Sequence, residues 1–209
     1  MEYLKDPEAI YSASFAAIAD AVDLEPVPQA LRKTVTRLIH SCGMPEILPN
    51  LHWADNPVTP AREALNKGKP VLVDATMVAS GITTRFLPRQ NDVICTLNAP
   101  ETSDIAQQTS TTRSAAAVDL WGPHLEGAVI AIGNAPTALF RLLEILQQPE
   151  TSRPAAIFAF PVGFVGAAES KETLIEARLD IPYLTLRGRQ GGSAFAAAAI
   201  NAVALGDQQ

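Results

Sequence analysis

Apolar positions change their period about a third of the way along the chain. Before that point they recur at helical spacing, as in Ile10, Phe15, Ile18 and Val22, and again in Leu31, Val35, Leu38 and Cys42. Asp6 followed by Pro7 suits a helix start, with the carboxylate capping and the proline in the first turn. The second helix is predicted from near Pro28 to a stop at Gly43. Asn50 to Pro60, with Trp53 and Pro57 inside it, is predicted as an ordered loop, and Ala61 to Lys67 as a short helix closed by Gly68.

From residue 70 onward the apolar runs are short and continuous: Pro70 to Asp74, Asp92 to Leu97, Ala128 to Ile132, Ala155 to Phe160 and Tyr183 to Leu186. Continuous rather than alternating hydrophobicity marks strands covered on both faces. Helical stretches separate them, at Met77 to Ile82, Ser103 to Gln108, Arg113 to Trp121, Pro136 to Gln147, Glu169 to Arg178 and Ser193 to Leu205. The alternation predicts one α/β domain over residues 1–209: a three-layer α/β/α fold, a five-stranded parallel sheet and N-terminal helices. Ligands of such folds bind beyond the carboxyl ends of the strands, where strand order reverses. That directs attention to the loops Asp74 to Met77, Gly133 to Thr137, Pro161 to Phe164 and Arg187 to Gly192.

Composition narrows the class of ligand. Hydrophobic residues make up 47% of the 209 and charged residues 18%, ordinary material for one folded core. The formal net charge is −6, with no run of lysine or arginine, which argues against nucleic acid or an anionic membrane surface as partner. No apolar run reaches the roughly 20 residues that span a bilayer, and the first seven residues lack the pattern of a signal peptide. Cys42 and Cys95 are far apart and outside any metal-ligand spacing, so both are expected as free thiols in a cytoplasmic protein that holds no metal.

Four places could carry chemistry. Gly133-Asn-Ala-Pro-Thr137 follows a strand and opens a helix, with Asn134 able to cap; it reads either as an anion site on free amides or as a capped helix without ligand. Arg187-Gly-Arg-Gln-Gly-Gly192 joins two guanidinium groups to three glycines, and reads either as a carboxylate site or as a solvated loop. Arg113 opens a helix after a hydroxyl-rich run, where its charge opposes the macrodipole, a mismatch that an anionic ligand would offset. His40 falls off the apolar stripe in the last turn before Gly43, where the dipole favours imidazolium and a proton donor is plausible; the bland reading is a solvated surface histidine. His52 and His124 have nothing comparable beside them, and neither a GxSxG elbow nor a P-loop is present.

Seven stretches in order resemble the precorrin-8X methylmutase family, which includes the cobalt-precorrin-8 methylmutases. They are Asp6 to Phe15, Leu38-Ile-His-Ser-Cys-Gly43, Asp74 to Val78 with Gly81-Ile-Thr83, Thr112 to Ala117, Gly133 to Phe140, Pro161 to Lys171, and Arg187-Gly-Arg189 with Gly191 to Ala194. The resemblance implies a flavodoxin-like fold, a homodimer and a macrocycle site at the subunit interface. It also implies the reaction: a ring methyl moves from C-11 to C-12 of a tetrapyrrole polycarboxylate, giving hydrogenobyrinate or its cobalt counterpart, with no cofactor consumed. By the same resemblance His40 matches the catalytic histidine, proposed to protonate or hydrogen-bond the macrocycle. Ser14, Thr83 and Arg113 match ligand-binding positions. Arg113 and Arg187 are expected to engage the substrate's acidic side chains, with the loops after the first and third expected strands, the latter carrying Asn134, forming the floor of the site. Two other readings remain open on the sequence: a corrinoid carrier using the same pocket without catalysis, and a flavin or nucleotide binder suggested by fold analogy alone.

Overall fold

The computed structural model describes residues 3–206; residues 1–2 and 207–209, the ends of the expected domain and of its N-terminal stretch, lie outside the described residues. Strands β1 (Leu51–Ala54), β2 (Val71–Val73), β3 (Val93–Ile94), β4 (Val129–Ile132), β5 (Ala156–Ala159) and β6 (Tyr183–Leu186) form one sheet in the order β1-β6-β5-β4-β2-β3. All five expected strands are there, and their neighbours pair in parallel. The sixth corrects the sequence reading. Leu51–Ala54, expected as loop, adds an antiparallel edge that matches Leu51 to Leu186 and Ala54 to Tyr183. A four-residue strand with His52 and Trp53 half-buried carries no apolar run, and it exists only because β6 offers a free edge.

The strands are short, but both faces of the sheet are covered. Val71, Val73, Val129, Ala131, Ala156 and Phe158 point into one core, shared with α2 (Gln29–Cys42), α3 (Val58–Asn66), α4 (Thr76–Gly81) and α9 (Ser193–Leu205). Their alternating neighbours Leu72, Ile130, Ile132, Ile157 and Ala159 point into the other, shared with α6 (Arg113–Asp119), α7 (Pro136–Leu146) and α8 (Ala167–Glu176). The two-residue period of the strand thus feeds two cores, which is why each run is apolar throughout. The remaining helices are α1 (Pro7–Ala21) and α5 (Pro100–Gln108).

The N-terminal helices form as expected at their ends. Asp6 accepts a 2.8 Å bond from the Ala9 amide, and Gly43 ends α2 in the left-handed region at φ 67°. Leu31, Val35 and Leu38 are buried along α2. α1 differs: Ile18 is buried, while Ile10 stands exposed, so α1 leans on α2 along a narrow seam.

The alanines of α9 let it approach the sheet closely. A Cβ on Gly133 would stand 2.8 Å from Ser193 Cα and 2.9 Å from Ala196 Cβ. Gly133→Ala is therefore expected to destabilise the fold by about 1–3 kcal/mol, the usual penalty for overpacking a filled core. Urea denaturation checks this, and an unchanged midpoint would mean that α9 shifts without cost.

Candidate active site

His40 stands exposed in the last turn of α2. It opens onto a cleft of about 380 Å³ between α1 and α2, lined also by Ser14, Ile18, Ile39, Gly43 and Pro45. Two of the expected site residues, Ser14 and His40, therefore share one cavity. On its other side the imidazole meets aromatic rings: Phe15 at 5.2 Å and Tyr11 at 6.3 Å between centroids. Arg37 lies over both rings and donates a 2.6 Å hydrogen bond to Tyr11 Oη. This aromatic and cationic backing was not singled out in the sequence. Its signal is the spacing of Tyr11 to Phe15 on α1 and Arg37 to His40 on α2, each one helical turn.

At the carboxyl end of the sheet, strand order reverses between β2 and β4, and the loops after those strands meet there. The anion expected at this point is part of the protein. Asp74 accepts 2.8, 2.9 and 2.7 Å bonds from the amides of Gly133, Asn134 and Ala135. Burial pushes its carboxyl above the usual carboxylate range, against the pull of those amides. This corrects two expectations. The amides before α7 are not free for a ligand, and Asn134 does not cap the helix; Ala135 holds that position with no side-chain cap bond. The exposed Asn134 side chain still faces outward from the loop.

Arg113 opens α6, as expected, behind Thr112, whose hydroxyl caps Ala115. Its guanidinium donates to the Leu97 carbonyl at 2.9 Å and to Asn98 Oδ1 at 3.0 Å, fixing it over the end of β3 while it stays exposed. Thr83 is half-buried, and its amide donates to Asn201 Oδ1 of α9 at 2.8 Å. Arg187 follows β6, exposed, with Nε 3.8 Å from Glu172 Oε1. So open an ion pair contributes little, and leaves the guanidinium available to a ligand carboxylate.

Arg187 follows β6, whereas Arg113 sits beside the start of α7, where its neighbour Thr112 donates a 2.8 Å hydrogen bond to Thr137. The Arg187 loop instead sits beside the end of α2: Met44, Gly163, Phe164, Arg189, Gln190 and Gly191 line a second cleft of about 250 Å³. Around this rim Phe164 and Val165 are 84% and 89% exposed, with the Arg189 guanidinium 5.5 Å from the Phe164 ring centroid. Beneath it, Lys171 of α8 is fully buried and donates 2.6 Å to the Gln190 carbonyl. Burial pushes its ammonium down to about 8, with Glu172 pulling the other way.

His52 belongs to the scaffold. It stacks on Tyr183 at 5.9 Å and shares a 3.2 Å hydrogen bond with the phenol, while burial and the nearby Arg187 charge push its pKa down. Cys42 and Cys95 are half-buried free thiols. Among the described residues no group of three or more His, Cys, Asp and Glu side chains is arranged to hold a metal ion. No described helix is long and apolar enough to cross a membrane.

The comparisons with known proteins agree with one another. The family model described as precorrin-8X methylmutase matches residues 9–205. The chain is 48% identical to the precorrin-8X methylmutase of Pseudomonas aeruginosa over 98% of both chains, and 48% identical to that of a Sinorhizobium species over 97% of this chain and 96% of the relative. It is 35% identical to the cobalt-precorrin-8 methylmutase of Salmonella typhimurium over 97% of both. Among solved structures, the precorrin-8X methyl mutase of Thermus thermophilus superposes with a TM-score of 0.84 at 32% identity, covering 94% of each chain. With a family match over nearly its whole length and a relative 48% identical over 98% of it, the chain belongs to the precorrin-8X methylmutase family, isomerases that move a methyl group in cobalamin biosynthesis.

Proposed function

We propose that this chain converts metal-free precorrin-8X to hydrogenobyrinate, moving the C-11 methyl to C-12, in a site whose acid is His40. The observation that carries the assignment of the acid is the cleft at the α1–α2 seam, where His40 and Ser14 face one cavity. Similarity supports the metal-free substrate: 48% identity to the two relatives named for precorrin-8X, against 30–35% for five cobalt-precorrin-8 methylmutases that cover at least four-fifths of the chain.

The migrating methyl stays on one molecule, so bringing two reactants together contributes nothing. The protein's contribution is to select one tautomer of the macrocycle, supply a proton or hydrogen bond from His40, and hold the ring in a shape that favours the transition state. Ser14 and Thr83 supply neutral hydrogen bonds, Asn134 its exposed side-chain amide, and Arg113 and Arg187 pair with carboxylate arms. A homodimer completes the site. The exposed apolar rim of Phe164 and Val165 supports this. The fold is a single domain over 1–209 of flavodoxin-like type; without the edge strand β1, the parallel strands follow the 2-1-3-4-5 order.

Parallel time courses with precorrin-8X and cobalt-precorrin-8 test the substrate. The metal-free form is expected to show a higher kcat/KM by at least about tenfold, a transition-state difference of roughly 1.4 kcal/mol. Equal turnover of both would overturn the preference while leaving the reaction intact.

A further inference from the structure

Lys171 is a buried cation whose position the reaction does not explain. It shares the inner face of α8 with Ala167, Ser170 and Leu174 and is 0% exposed. An ammonium taken out of water is unfavourable unless its partners compensate, and a methionine would fill the same space without that penalty. What the lysine provides is one directed bond. Nζ reaches out of the core to the Gln190 carbonyl at 2.6 Å, inside the loop that runs from Arg187 to Gly192.

Three backbone bonds hold the same loop: the Arg187 amide to the Asn50 carbonyl at 2.8 Å, the Gly163 amide to the Arg189 carbonyl at 3.2 Å, and the Gly192 amide to the Phe160 carbonyl at 2.8 Å. At Gly191 the backbone lies at φ 158°, and a Cβ there would collide with the Phe160 and Pro161 carbonyl oxygens. The loop is therefore drawn flat against the end of β5, while Arg187, Arg189 and Gln190 remain exposed above it. Of these four bonds, the Lys171 bond alone comes from a side chain, and its acceptor lies between the Arg189 and Gly192 anchors.

We infer that Lys171 is a positioning residue, which fixes the Arg187–Gly192 loop from beneath so that its guanidinium groups meet the substrate's carboxylates. The inference rests on the reading of this loop as substrate-binding. It predicts that losing the lysine mimics losing an arginine, although Lys171 is too deep to touch a ligand.

The test uses Lys171→Met and Arg187→Met, singly and together, with precorrin-8X turnover followed by visible absorbance and folding followed by circular dichroism. Each single variant is expected to fold and to raise KM by roughly tenfold, the loss of one charge-assisted contact, with kcat far less changed. The double variant is expected to be little worse than the weaker single one, because neighbours acting through one loop are not additive. Unchanged KM in Lys171→Met overturns the inference, and so does full additivity. Failure of Lys171→Met to fold also overturns it, since the bond would then hold the domain rather than the loop. If Arg187→Met binds normally but Lys171→Met does not, the assignment of Arg187 fails and the carboxylate contact that Lys171 positions passes to Arg189. Wild-type turnover of precorrin-8X is the control that separates these outcomes from a wrong substrate.

Discussion

His40→Ala is expected to lose turnover of precorrin-8X by about 10²–10⁴-fold, the usual contribution of one positioned general acid. Ligand binding is expected to survive, because the cleft is bounded by Ser14, Ile18, Ile39 and Pro45, none of which depends on the imidazole for its place. The ring is placed by its contacts with Phe15 and Tyr11 and by the end of α2, so removing it takes away the proton source and little else. Two readouts on one sample decide the matter. The visible spectrum followed over time reports conversion, and the immediate spectral shift on mixing reports binding. Conversion at the wild-type rate would sink the acid role. A carrier needs the same pocket but has no use for an acid, so retained binding with lost turnover is also the result that separates enzyme from carrier.

The parallel strands were legible because each is apolar at every position, a direct consequence of feeding two cores at once. The edge strand was not. Leu51–Ala54 takes its structure from pairing with Leu186 and its neighbours, a partner far along the chain, and local composition there reports only prolines and half-buried aromatics. His40 was legible for the opposite reason, as a polar residue displaced from a clear apolar stripe. The loop before α7 was legible as a place but not in its content. Its anion comes from Asp74, about sixty positions away, and reaches Gly133 only after the sheet sets β2 beside β4. Lys171 was hidden by its neighbours: between Glu169, Ser170 and Glu172 it reads as the solvated start of a helix, while the turn of α8 carries it inward.

Asp74→Asn is expected to destabilise the protein by about 3 kcal/mol, a fall in Tm of roughly 6–12 °C for a chain of this size. The substitution keeps the shape and removes the charge, so the effect isolates the hydrogen bonds. Oδ2 of Asp74 accepts from both Asn134 and Ala135, and Oδ1 from Gly133. An asparagine offers one acceptor and turns its amide donors toward amides that also donate. At least one buried N–H is left unpaired, and hydrogen bonds to a charged group contribute more than neutral ones. Relief from burying a carboxylate works in the other direction, since Asp74 is 1% exposed and its pKa is raised. The amides win, because they sit at the start of α7 where no other acceptor is in place. The damage is expected to spread from there to function: the same loop carries Asn134, and Gly133 lies against Ser193 and Ala196 of α9. Thermal unfolding of the variant beside Asp74→Ala checks the account. A Tm within about 2 °C of wild type in both, less than 1 kcal/mol on the same scale, would mean that water satisfies the three amides and that the carboxylate fastens nothing.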